Sequence, residues 1–158
     1  VIALLNKDLK INTKFTRGLH WIKKLDGKEI LYLIKDSKSN EILCERLYIN
    51  NKDRKILNEY NFIKSKFEQN KEKYKYFSAS NWTAFIEDNN LDPETIKLLI
   101  SESILFWREL FRWLFIYRFI KSSKNGQTLK EEGWKEGKNI GDEIKRLRYI
   151  NIDNYSKH

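Results

Sequence analysis

The stretch from Leu91 to Ser122, LDPETIKLLISESILFWRELFRWLFIYRFIKS, constrains the fold more than any other part of the chain. Asp92 is a good N-cap, because its carboxylate can accept from the first unbonded backbone N–H groups. Pro93 follows at the first helical position, where a missing N–H costs nothing. Glu94 adds negative charge at the positive end of the helix dipole. No Gly or Pro interrupts the run before Gly126, and Lys121 and Lys124 lie near its far end. The pattern predicts one long helix over about 92–122, roughly 45 Å at 1.5 Å per residue. Phe106, Trp107, Phe111, Trp113, Phe115, Tyr117 and Phe119 spread over most of its circumference, so neighbours must cover it on several sides. Trp107, Phe111 and Leu114 are accordingly expected in the core. Arg108, Glu109, Arg112 and Arg118 interrupt the apolar run, which argues against a membrane span. Glu109 and Arg112 are three apart and are expected to pair along one wet seam.

The rest of the chain supplies helices to pack on this one. Ile42, Leu43, Cys44 and Leu47 give a short helix over Glu41–Leu47, with the lone cysteine as a small core residue. Asn50 reads as an N-cap and Asp53 suits the first turn of a helix from Asn51 to about Glu68. Ile56, Leu57, Tyr60, Ile63 and Phe67 fall on one face of that helix, and its lysines on the other read as a solvated face. Asn70–Lys75 is polar and reads as a loose connection. Ser80 is expected to cap a short helix through Glu87, with Trp82, Phe85 and Ile86 inward. Upstream, a helix from Asn12 or Thr13 to Leu25 is expected, with Phe15, Leu19, Trp21 and Ile22 inward. A further helix is expected over Glu29–Asp36, then a turn at Ser37–Asn40. No paired strands carry hairpin turns. The fold class is therefore all-α: an irregular bundle around the 92–122 helix, with a small C-terminal helical hairpin and no sheet. Four of the six glycines lie between Gly126 and Gly141, which divides the chain into a helical body, 1–125, and a tail, 126–158.

Charge narrows the partners. The chain carries +9, with +4 in residues 37–77 and +3 in residues 121–158. That favours an anionic partner, nucleic acid first and membrane surface second. The longest apolar helix has aromatics all round instead of on one face, so an amphipathic membrane-surface role is disfavoured. One cysteine excludes an internal disulfide framework, and His20 and His158 are too few for a metal cluster. There is no Walker loop, no Ser-His-Asp set and no carboxylate pair of the kind two-metal chemistry uses. Asp53, Glu59, Asp88 and Asp92 read as caps and surface charge. Val1–Leu5 is apolar but short and lacks a basic start, so it does not read as a secretory signal. The chain contains no Met, and we expect it to be a piece of a longer protein.

One segment carries a candidate site: Thr128–Tyr149, TLKEEGWKEGKNIGDEIKRLRY. Gly133, Gly137 and Gly141 recur every fourth residue, and Ile140, Ile144 and Leu147 begin a helical face. The expected structure is a short helix over Leu129–Glu132, a tight hairpin, and a helix from about Asn139 to Ile150. Gly137 permits a sharp backbone turn, and Gly141 is expected to permit close approach of another element. The unbonded N–H groups opening the second helix form a natural anion site. Lys135 and Lys138 flank it, and Lys145, Arg146 and Arg148 extend the basic surface. A glycine-joined hairpin built for packing alone fits the same pattern.

The order Leu129, Gly133, Gly137, Ile140, Gly141, Ile144 resembles the C-terminal signature of the class II tRNA nucleotidyltransferase and poly(A) polymerase family. In that family a leucine and a glycine precede a Gly-Pro turn, and an Ile-Gly pair opens the last helix; Lys138 stands here in place of the proline. The run from Arg46 to Arg54, RLYINNKDR, resembles the arginine-leucine segment of the same family's body domain. The two stretches come in the family's order and cover some 30 of 158 positions. The resemblance implies the body and tail of an enzyme that extends tRNA 3′ ends by CCA or A addition. It implies RNA, first of all tRNA, as partner, no membrane, and a cytoplasmic location. It also implies a covalently linked N-terminal catalytic head, absent from this chain, holding Mg²⁺; the chain itself takes no cofactor and contributes no catalytic residue. The residues expected to hold RNA phosphates are Lys135, Gly137, Lys138, Asn139, Gly141, Lys145, Arg146 and Arg148. The alternative is a standalone basic helical adaptor that binds nucleic acid or protein.

Overall fold

The computed structural model describes residues 40–101 and 105–157. The helices expected over Asn12–Leu25 and Glu29–Asp36, and His20, lie outside the described residues. Within them the chain is helical throughout, with no strand. The elements are α1 (Asn40–Arg46), α2 (Asn51–Gln69), α3 (Lys71–Lys75), α4 (Ala79–Asp88), α5 (Pro93–Ser101), α6 (Trp107–Phe115), a 3₁₀ turn (Tyr117–Phe119), α7 (Gly126–Glu131) and α8 (Lys138–Ser156).

The expected apolar face of α2 is the floor of the core. Asn50 caps it through Oδ1, which accepts from the Asp53 N–H at 2.9 Å. Ile56, Leu57, Tyr60, Ile63 and Phe67 are all buried, as their 3.6-residue spacing requires. Cys44 of α1 is buried in the same cluster. The side chain of Glu59 leaves the solvated face to serve another helix. It accepts from the Asp92 N–H at 2.9 Å and from Thr95 Oγ1 at 2.6 Å, fixing the start of α5 on α2. Asp92 itself caps α5, accepting from the Glu94 N–H at 2.9 Å.

Three expectations fail here, each for a local reason. Asn70–Lys75 is not a loose connection: it contains α3, whose Tyr74 is buried in the core. The Tyr74 ring stands edge-on to Phe67 at 5.4 Å and to Phe85 at 5.2 Å, and burying it offsets the entropy of ordering the turn. Helix α4 is capped by Ser78, not Ser80. Ser78 Oγ accepts from the Asn81 N–H at 3.2 Å, while Ser80 is buried further in. The predicted helix over 92–122 is two shorter ones. Helix α5 is described as far as Ser101, whose hydroxyl donates to the Leu98 carbonyl at 2.7 Å. Phe106 then enters α6 in the left-handed region at φ 67°. A phenylalanine there is strained, and its ring packs among Phe67, Tyr74 and Trp82, at 5.5, 6.2 and 5.2 Å.

The fold-back redistributes the aromatics. Leu110, Trp113, Leu114 and Tyr117 are buried, and Phe111 packs partly against the core. Trp107 is 37% exposed, so it is not the core anchor its sequence context suggested. A single straight helix would have needed cover on every side, whereas α6 faces the core with one side only. The Glu109–Arg112 pair forms as expected at 3.0 Å. Among the described residues no helix is long and apolar enough to cross a membrane.

The C-terminal elements begin earlier and run longer than expected. Asn125 caps α7 by accepting from the Thr128 N–H at 2.9 Å, so the helix starts at Gly126 and not at Leu129. Helix α8 extends to Ser156, because Ile152 is wholly buried in the same cluster as α2 and α4. A Cβ added at Gly126 would stand 3.8 Å from Ile140 Cγ2, so α7 and α8 pack closely there. At Gly141 no heavy atom comes within 4 Å of a built Cβ, which corrects the expectation of close approach at that residue.

Candidate nucleic-acid interface

Helix α8 opens on a glycine whose conformation a side chain would resist. Gly137 has φ 117°, and no side chain caps the helix start. The Gly137 carbonyl accepts from the Ile140 N–H at 3.2 Å and more weakly from the Gly141 N–H at 3.5 Å. Lys135, Lys138, Asn139 and Gly141 are all exposed around this turn. For Lys135 and Lys138 no carboxylate lies within ion-pair distance among the described residues. These five positions, Gly137 included, share one exposed turn.

The remaining three predicted site residues each pair with a carboxylate of this chain. Lys145 Nζ donates to Asp88 Oδ1 at 2.8 Å. Arg146 makes a two-pronged bond to Glu143, both contacts at 2.7 Å. Arg148 Nη1 and Nη2 donate to the two Glu87 oxygens at 2.6 and 2.8 Å, and its Nε donates to the Ile120 carbonyl at 2.8 Å. The bond to Glu87 holds the Arg148 pKa above its usual value despite the opposing effect of burial. The bond to Asp88 does the same for Lys145. Nearby, Lys124 pairs with Glu132 at 2.7 Å, and Lys130 pairs with Glu136, whose pKa falls as a result. Most of the cations in the tail are thus neutralised by carboxylates of this same chain.

Two of those pairs, Arg148–Glu87 and Lys145–Asp88, join α8 to α4 and add to the hold of the buried Ile152. Arg148 and Lys145 hold the C-terminal end of α4. At the other end of α4, Asp153 accepts from the Ser80 N–H at 2.8 Å and from its Oγ at 2.7 Å. Asn151 Nδ2 donates to the Lys121 carbonyl at 2.9 Å. The connection Ile120–Lys121 is therefore held from α8 by two side chains.

The second family-like run, Arg46 to Arg54, forms the turn between α1 and α2. Tyr48 sits at φ 52° with its side chain in solvent, and Arg54 Nε donates to the Ile49 carbonyl at 3.0 Å. Among the described residues no group of three His, Cys, Asp or Glu is placed to hold a metal ion.

A basic surface not singled out by the sequence lies where α2 hands over to α3. From Phe62 to Tyr76 there are five lysines and two glutamates. Lys71, Lys73 and Lys75 are exposed, and no carboxylate lies within ion-pair distance of them among the described residues. Lys66 lies over the Phe62 ring at 4.2 Å, and Lys75 lies 5.8 Å from the Tyr76 ring centroid. Phe62 is 49% exposed and Tyr76 is 77% exposed. The one sequence clue was Tyr74, an aromatic seven residues after Phe67 inside a polar run. No family model, curated protein or solved structure matches this chain.

Proposed function

We propose that this chain is an RNA-binding helical module, the body and tail of a template-independent nucleotidyltransferase that extends tRNA 3′ ends in the cytoplasm. One observation carries the RNA-binding reading. Lysines at two surfaces, Lys135 and Lys138 by the Gly137 turn and Lys71, Lys73 and Lys75 on α3, are exposed without a carboxylate partner among the described residues. An overall charge of +9 gives the long-range attraction to a polyanion, and unpaired lysines give it points of contact. The nucleotidyltransferase identity rests on the resemblance of Arg46–Arg54 and of Leu129–Ile144. In this reading the chemistry and its Mg²⁺ belong to the head, and the described residues position RNA.

Phosphate contacts release counterions, so affinity falls with salt at a log–log slope of about −0.7 to −0.9 per contact. A salt titration of tRNA binding by the full chain is the test. Lys138→Glu is expected to weaken binding and flatten the slope by about one contact, equally for tRNAs of different sequence. The melting temperature should stay unchanged, since Lys138 is exposed. Salt-independent binding, or none, overturns the RNA reading.

A further inference from the structure

The corner formed by the last turns of α2, by α3 and by Tyr76 combines two features: unpaired cations beside exposed aromatic rings, and an aromatic base beneath them. The base is aromatic. Tyr74 points inward from α3 and meets Phe67, Phe85 and Phe77, the last at 5.0 Å. The junction is closed by backbone bonds: the Asn70 N–H reaches the Lys66 carbonyl at 3.0 Å, and the Tyr74 N–H reaches the Asn70 carbonyl at 3.2 Å. With Tyr74 facing the core, Lys71 and Lys75 stand one helical turn apart on one side of it and Lys73 on the other. Glu72 points away from the core on the opposite side of α3, and no ion pair joins it to these lysines. Tyr76 comes directly after, its ring in solvent and Lys75 alongside.

We propose that this corner binds single-stranded RNA, with Lys71 and Lys75 on phosphates and the Tyr76 ring stacked on an unpaired base. The proposal rests on the RNA-binding reading and assigns it a second surface and a strandedness. Duplex RNA keeps its bases stacked on each other, so an exposed ring gains nothing from it; a splayed base offers a face to stack on. Lysines beside the rings add phosphate attraction at the same place. An anionic membrane also attracts lysines and rings. It is served by a long amphipathic helix with a continuous apolar face, and α3 has five residues and only its buried Tyr74 as an apolar side chain.

The test uses the full chain and three probes: a labelled oligoadenylate strand, the same strand paired with oligouridylate, and vesicles containing anionic lipid. Tyr76→Ala should weaken binding of the single strand about five- to 150-fold, the range for losing one stacked base, with little effect on the salt slope. Tyr76→Phe should retain it. Lys71→Glu combined with Lys75→Glu should flatten the slope by about two contacts. Duplex binding should not respond to Tyr76→Ala. These side chains are exposed, so unchanged circular dichroism confirms that each variant is folded. If Tyr76→Ala weakens single strand and duplex equally, or neither, stacking is overturned. If the corner variants lose vesicle binding and not RNA binding, the surface belongs to a membrane and the proposal fails. If only Lys138→Glu loses RNA, the RNA reading stands and this proposal falls. If the wild type binds no RNA, both fall together.

Discussion

Helix α8 and the α2–α3 corner carry similar numbers of cations, four and five, and use them in different ways. On α8 the guanidinium of Arg148 is consumed by Glu87 and the Ile120 carbonyl, Lys145 by Asp88, and Arg146 by Glu143. The corner is anchored by the Tyr74 ring, and its lysines on α3 find no carboxylate among the described residues. The difference teaches that cations spent on holding a helix in place are paired within the chain, whereas cations on an element held by its aromatic ring alone are left unpaired. On α8 charge assists the buried Ile152 in the fastening, and the cations left without a carboxylate there lie at the Gly137 end. At the corner, apolar burial does the fastening and the charge is left over.

The largest expected effect removes the apolar anchors. Tyr74→Ala should cost about 3–5 kcal/mol, as for other buried aromatics. Ile152→Ala, which unseats α8, should cost about 2–5 kcal/mol. The place where each variant first opens sharpens the comparison. Limited proteolysis of the Tyr74 variant should cut between Asn70 and Phe77 first; for the Ile152 variant it should cut in α8. Equal stability of wild type and Tyr74→Ala in urea would show that the corner is held by something other than its ring.

Removing an anchor made of charge has a smaller effect. Arg148→Met leaves Glu87 without its guanidinium and Ile120 without its donor. The two side chains are 20% and 30% exposed, so the cost expected is about 1–2 kcal/mol, below that of a fully buried pair. Adding Glu87→Gln should recover part of it, since the stranded carboxylate is then neutral. Arg146→Met should lower the melting temperature less, because Arg146 is 59% exposed and its pair with Glu143 lies within one helix. A loss from Arg146→Met equal to that from Arg148→Met would erase the distinction between fastening and surface pairs.

How much of the molecule was legible depends on the range of each interaction. The buried face of α2 was readable because five apolar residues keep helical spacing behind an Asn cap, all local information. Helix α3 was not, since five residues give no period and Tyr74 is the single inward side chain. The break before α6 was invisible for a different reason. No Gly or Pro marks it, and Phe106 takes a conformation its own side chain disfavours while its ring packs on Phe67, Tyr74 and Trp82, which lie far off in the sequence. At the candidate site the Gly137 turn was legible from glycine and lysine placement. The fate of Lys145 and Arg148 was not, because their carboxylates lie 57 and 61 residues away in the chain. The bond of Ser80 to Asp153 spans 73 residues, which is why Ser80 passed for a cap.

The smallest effect expected is a difference in alkaline sensitivity between the two regions. Burial raises the pKa of the Tyr74 phenol at the corner and of the Tyr149 phenol on α8. At Tyr149 the Lys145 ammonium, 5.6 Å from the ring centroid, pulls the value back down. In the unfolded chain both ionise near pH 10. A group with a raised folded pKa contributes stability that is fully present below the unfolded value. That contribution is lost as pH climbs through the folded one, because the unfolded state then holds fewer protons than the native state. Wild-type melting temperature should therefore decline above about pH 10. Tyr74→Phe should remove more of that decline than Tyr149→Phe, since the positive charge offsetting burial is present only at Tyr149. Thermal melts of the three proteins between about pH 8 and 11 make the comparison. A larger recovery from Tyr149→Phe would mean that the carboxylates of Glu87 and Asp88, which also raise the Tyr149 pKa, outweigh Lys145 at the α4–α8 contact.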